Sequence, residues 1–147
     1  MRRGRRREKL FIRENPRKTV TVYTEFEGKK RVVLNPFKDI TLASKRYKYD
    51  NFIVYTFLQV HVYKTYDPFV SYWLEPAFYV FYFTINKDNE HKMYLSVIDE
   101  KEVAIRLLRN LDINTHLAPV ELCKIKFAFP EYFEIVKEKF PDAKIPV

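Results

Sequence analysis

The sequence predicts an α+β domain: one mostly antiparallel sheet of five to six strands, two to three helices packed on it, and a basic N-terminal arm. Three observations predict this. Apolar residues alternate with polar ones over 19–27 and 52–64, the period of half-buried strands. They recur at helical spacing over 99–111 and 130–140. Finally, residues 1–18, MRRGRRREKLFIRENPRK, hold nine Lys and Arg against two Glu, so this stretch carries +7 of the chain's net +8.

Taken in order, residues 1–18 read as a flexible arm and 19–147 as a single domain. In TVTVYTEFE, Val20, Val22 and Phe26 fall on one side and Thr19, Thr21, Tyr23, Glu25 and Glu27 on the other. Gly28-Lys29-Lys30 supplies a turn, and Arg31 to Leu34 returns as a second strand. Asn35 and Pro36 read as the cap and first turn of a short helix over 36–47.

FIVYTFLQVHVYK (52–64) is the longest strand signal. Phe52, Val54, Leu58, Val60 and Val62 make one face; Ile53, Tyr55, Phe57, Gln59, His61 and Tyr63 make the other. Residues 65–76, with Asp67-Pro68 and Glu75-Pro76, read as a loop. Strands 77–85 and 91–98 flank NKDNE, a connection suited to a hairpin. The first of these is apolar on both faces, which would also suit a homodimer interface.

Asp99 reads as a helix cap with Glu102 three residues on, followed by Val103, Ala104, Leu107, Leu108 and Leu111. In 120–128, Cys123, Ile125 and Phe127 alternate with Lys124 and Lys126, which reads as a further strand. Pro130 opens a last helix that buries Tyr132, Phe133, Val136 and Phe140 and stops before Pro141.

Composition narrows the classes. Only two Gly are present and 17% of residues are aromatic, which argues against a low-complexity body and fits a thermophile. A single Cys123 excludes an intramolecular disulfide, fits a reducing, intracellular and cytoplasmic setting, and reads as a small core residue. Only Leu10, Phe11 and Ile12 follow the arginines before Arg13, too few for a signal peptide. The most apolar stretch, 69–85, carries Glu75 and Pro76 centrally, against a membrane span.

A concentrated basic arm stays solvated and meets polyanions, so the expected partner is nucleic acid, DNA or RNA. Arg2, Arg3, Arg5, Arg6, Arg7, Lys9 and Arg13 are the expected phosphate contacts, since guanidinium forks bind phosphate bidentately. The strand patterns add a face of aromatics and cations: Tyr23, Tyr55, Phe57, Gln59, His61, Tyr63, Lys92, Tyr94, Lys124 and Lys126. Stacking surfaces with interleaved cations are what single-stranded nucleic acid needs. The competing reading covers that face with helices and makes Tyr55 and Phe57 core.

No catalytic motif of high specificity appears, and the chain reads as a binder, or as a structural or protein-interaction subunit such as a viral one, before it reads as an enzyme. No glycine-rich loop for nucleotide phosphate is present, and no cofactor is expected. The order helix 36–47, three strands, helix 99–110 and strand resembles the core of restriction-endonuclease-like nucleases. That family holds a divalent metal with an acidic residue on the second strand and an acid-x-Lys on the third. The resemblance implies Glu75, Asp99 and Lys101 as catalytic residues, with Mg²⁺ or Mn²⁺. Glu90-His91-Lys92 is an alternative triplet. Gln59-Val60-His61 resembles, with one histidine missing, the metal pair of rolling-circle replication nickases, which implies Tyr132 as nucleophile.

Overall fold

A computed structural model of the chain describes the backbone of residues 9–14, 20–26, 29–67 and 71–143, and the side chains of 34–62 and 76–143. The chain divides into two compact units, Met1–Asp39 and Ile40–Val147.

In the first unit, β1 (Lys9–Glu14), β2 (Val20–Phe26) and β3 (Lys29–Leu34) form an antiparallel three-stranded sheet in that order. The hairpin expected from the 19–34 pattern is present, with Phe26 opposite Lys29 and Val22 opposite Leu34.

The second unit is the predicted α+β architecture. β4 (Ile40–Lys48), β5 (Phe52–Asp67), β6 (Ser71–Asn86), β7 (His91–Ile98) and β8 (Asp112–Ile113) form one antiparallel sheet, ordered β7-β6-β5-β4-β8. Helices α1 (Lys101–Asn110), α2 (Pro119–Ala128) and α3 (Glu131–Lys139) complete it. The core lies between sheet and helices. Ile40, Leu42, Leu58, Val60, Phe78 and Val80 meet Ala104, Leu108, Ile125, Phe129, Tyr132 and Ile135.

Three expected elements differ. Residues 36–47 are not a helix. Asn35 does cap a turn: its side-chain oxygen accepts from Phe37 N, and its carbonyl accepts from Lys38 N and Asp39 N. Asp39 then folds its carboxylate back onto Asn35 N at 2.9 Å, and the turn ends after one cycle. Ile40 to Lys48 instead pair along β5, because sheet pairing and core burial of Ile40 and Leu42 outweigh a weak local helix signal. A bulge between Thr41 and Ala43 inserts Leu42, so that Leu42 and Ala43 both join the core.

Residues 120–128 are a helix, not a strand. Pro119 opens it, and Ala118 N donates to the Glu121 carboxylate at 3.1 Å. Ile125, Ala128 and Phe129 are buried at helical spacing, whereas Cys123 and Phe127 are exposed. The apparent alternation around the two lysines was accidental, and Cys123 is not a core residue.

Residues 65–76 are not a loop throughout: β5 and β6 run on to the pair Asp67 and Ser71. Pro76 lies inside β6, opposite Val62. Asn86 N donates to Glu90 O, so even-numbered residues of β6 direct their hydrogen-bonding groups toward β7. β7 has already ended at Ile98, opposite Phe78. Pro76 therefore lacks a donor on the side where none is required.

The NKDNE hairpin forms as expected. Asn86 Oδ1 accepts from Asp88 N and Glu90 N, and Asn89 takes the left-handed conformation at φ 63° that asparagine tolerates.

Candidate nucleic-acid interface

The sheet has two chemically different faces. The Leu58–Val60 face is covered by the helices. Among the described residues no helix lies on the other. Reading from β4 to β7, that second face carries Lys48, Ile53, Ile85 and His91 in one row. The next row is Arg46, Tyr55, Phe83 and Met93, and the third is Ser44, Phe57, Phe81 and Leu95.

The aromatic rings form a block. Tyr55 lies 6.5 Å from Phe57 and 6.2 Å from Phe83, Phe57 lies 6.0 Å from Phe81, and Phe83 meets His91 edge-on at 5.1 Å. Tyr55, Phe57, Phe83 and Ile85 are half-buried. Further along the strands the same face closes: Gln59 and Tyr79 are 1% and 0% exposed, and Gln59 Nε2 donates to Thr41 Oγ1 at 3.1 Å. The accessible part of the face thus lies toward the β4–β5 hairpin.

That hairpin is cationic and aromatic. Lys45, Arg46 and Lys48 are exposed, and Lys45 Nζ sits 5.6 Å from the centre of the Tyr47 ring. Tyr49 and Phe52 stack at 4.8 Å across the turn, both exposed. Lys87 N donates to Asn51 O, tying the β6–β7 turn to this hairpin. The sequence reading missed Lys45, Arg46 and Tyr47 because it placed 36–47 on a helix, and it assigned Lys48 and Tyr49 to no element. The signal was present in SKRYKYDNF, where cations alternate with aromatics at strand period.

The sequence-predicted site residues divide accordingly. Tyr55 and Phe57 lie on the helix-free face, and half-buried His61 follows them on β5, opposite Ala77. Tyr63 pairs with Glu75 in backbone register, and its side chain lies outside the described residues. Lys124 and Lys126 are exposed on α2, whose Ile125 packs into the helical core, so they do not share the surface of Tyr55. Lys92 and Tyr94 stand opposite Thr84 and Tyr82, in the rows of the helix-bearing face. In β1, Lys9 is registered with Glu25 and Arg13 with Thr21. Tyr23 is registered with Phe11 and Val33. Arg2, Arg3, Arg5, Arg6 and Arg7 lie outside the described residues.

Of the residues proposed for catalysis, Lys101 has a structural partner. Lys101 Nζ pairs with Glu131 Oε2 at 2.8 Å. Partial burial pushes the Glu131 carboxyl up, but the hydrogen bond and charge of Lys101, with a backbone hydrogen bond, leave it below its ordinary value. The N-cap of α1 is Glu100, without a side-chain cap hydrogen bond, so Asp99 is exposed and is not the expected cap. Glu75 lies in β6, with its side chain outside the described residues. The triplet Glu90, His91 and Lys92 is exposed at the hairpin tip.

Tyr132 is buried, its hydroxyl donates to Asn114 O, and burial pushes that hydroxyl well above the ordinary tyrosine range. In this fold its side chain belongs to the helical core. Among the described residues, no three His, Cys, Asp or Glu are grouped to hold a metal ion. The element order behind the nuclease resemblance differs, since Ile40–Lys48 is a strand and Pro119–Ala128 a helix.

No protein-family model, no curated protein and no solved structure matches this chain. Among the described residues, no helix is long and apolar enough to cross a membrane.

Proposed function

We propose that this protein binds single-stranded nucleic acid. The aromatic block on the helix-free face of the five-stranded sheet is the stacking surface. Arg46 and Lys48 are its adjoining phosphate contacts. The observation that carries this reading is the row Arg46–Tyr55–Phe83, which puts a guanidinium beside half-buried rings on one accessible sheet face. Bases of any identity stack on such rings, and the backbone that links them requires cations at the margin. The N-terminal arginines add a long-range, sequence-independent attraction for the same polyanion.

The test is titration of labelled single- and double-stranded DNA and RNA, of one sequence, across salt concentrations. Binding that falls steeply with salt and favours single strands is expected. Equal affinity for single strands and blunt duplexes would remove the stacking role. An absence of binding at low salt would remove the reading altogether.

A further inference from the structure

We propose that the outer edge of β7 pairs antiparallel with β7 of a second copy of this chain, joining two five-stranded sheets about a two-fold axis at Leu95. This pairing is independent of what the protein binds.

The two edges of the sheet are treated differently. At the β4 edge, β8 covers Ala43 and Ser44, and the remaining edge carries exposed Lys45, Arg46 and Lys48. Lysines and arginines on an edge strand oppose pairing with another chain. Beyond Lys92 near its start, the β7 edge has no such protection. Among the described residues it pairs only with β6, in a register that runs without a bulge from His91 to Ile98. Between Lys92 and Asp99 it reads MYLSVI, with no charge and no proline. Even-numbered residues of β7 bond to β6, so Met93, Leu95 and Val97 direct their N–H and C=O groups outward. Tyr94 is 51% exposed beside them.

Charge selects the occupant. The strand begins with His91-Lys92 and is followed directly by Asp99-Glu100. Antiparallel pairing with itself sets the basic end of one copy against the acidic end of the other, twice. Centred on Leu95, the register places His91 opposite Asp99 and Met93 opposite Val97, with Lys92 diagonal to Glu100. Opposite residues then share the same parity, so the helices of both copies lie on one side of a continuous sheet. Parallel pairing in register would set like ends together and has no such complementarity.

The test is sedimentation equilibrium on the full chain freed of nucleic acid. The expected result is a species of twice 17.9 kDa that dissociates on dilution. Leu95→Pro removes an outward donor without breaking the ladder to β6, and Leu95→Lys places two cations at the axis. Both are expected to yield monomer with the melting temperature retained. Should Leu95→Pro fail to fold, Leu95→Lys decides, together with cross-linking. In a Cys123→Ser background, Leu95→Cys is expected to give a covalent dimer with a short bis-maleimide, and Lys45→Cys at the other edge is not. A chain that is monomeric at every concentration overturns the proposal. So does a dimer that Leu95→Lys leaves intact, or one cross-linked equally through position 45.

Discussion

Arg46 on β4 stands directly opposite Tyr55 on β5, on the face of the sheet that bears no helix among the described residues. This pair joins the two interactions a single strand needs, a planar ring for a base and a guanidinium for a phosphate. It also gives the binding proposal a specific point of failure.

Replacing Arg46 and Lys48 together by Ala should weaken binding and flatten its salt dependence. Each phosphate contact on a single strand contributes a slope of about 0.7 in log affinity against log salt. The double variant should lose about 1.4 units of slope. An unchanged slope would show that neither side chain meets phosphate.

Tyr55→Ala and Phe57→Ala should each cost about 1–3 kcal/mol of single-strand affinity, the usual worth of one stacked base. Leu58 directly follows Phe57 in sequence but lies in the helical core. Leu58→Ala should cost about 2–5 kcal/mol of folding stability instead. Melting curves and binding isotherms on the three variants separate the faces. Equal stability losses at 55, 57 and 58 would make the two aromatics core residues.

Deleting residues 2–7 removes five arginines and leaves β1 (Lys9–Glu14) in the chain. Affinity should fall for duplex and single strand alike, because these charges read no base. The preference for single strands should persist. A truncated protein that loses the preference but keeps the affinity would assign the aromatic role elsewhere.

Tyr132→Phe should lower stability by about 0.5–1.5 kcal/mol through the lost hydrogen bond to Asn114 O. The gap should depend on pH. Burial raises the Tyr132 hydroxyl above its ordinary value, so the neutral form is favoured in the folded chain. Below about pH 10 both states keep the proton and the full contribution is present. As pH rises past that point the unfolded chain loses its proton first, so the wild type loses stability that the Phe variant does not. The urea midpoints of the two proteins should therefore differ near neutrality and converge near pH 11, past the unfolded tyrosine value of about 10. A constant gap would mean that the hydroxyl is not held neutral by folding.

The sequence made the strongly periodic elements legible and the short amphiphilic ones ambiguous. The two faces of β5 could be read because thirteen residues keep the alternation from Phe52 to Lys64. Tyr55 and Phe57 followed from that pattern. In 120–128, two lysines flanking Ile125 imitate a strand, and only Pro119 and Glu121 betray the helix start. Around Asn35 and Pro36, correct capping chemistry was present but served a single turn. That error hid Lys45 and Arg46, because cations on an assumed helix have no sheet face to join, and Lys48, just past the assumed helix, was left without a strand. The pairing of Lys101 with Glu131 joins residues thirty apart in the chain, and spacing alone does not reveal it.

The bulge at Leu42 has a consequence for which cations meet the rings. Were Leu42 paired regularly with Leu58 instead of bulged, the register Thr41–Gln59 would continue so that Lys45 met Tyr55 and Tyr47 met Ile53. Arg46 and Lys48 would then point to the helical side. One residue thus acts as a phase shift in the strand, exchanging the chemistry of its two sides beyond that point while Leu42 stays in the core. Asn114 anchors the shift, its N donating to Leu42 O and its side-chain amide to Thr41 O. Excising Leu42 would keep Arg46 opposite Tyr55, since Ala43 would still follow Thr41 onto Leu58. Flattening the bulge with Leu42 retained would instead transpose a guanidinium surface into a mixed ammonium and phenol one.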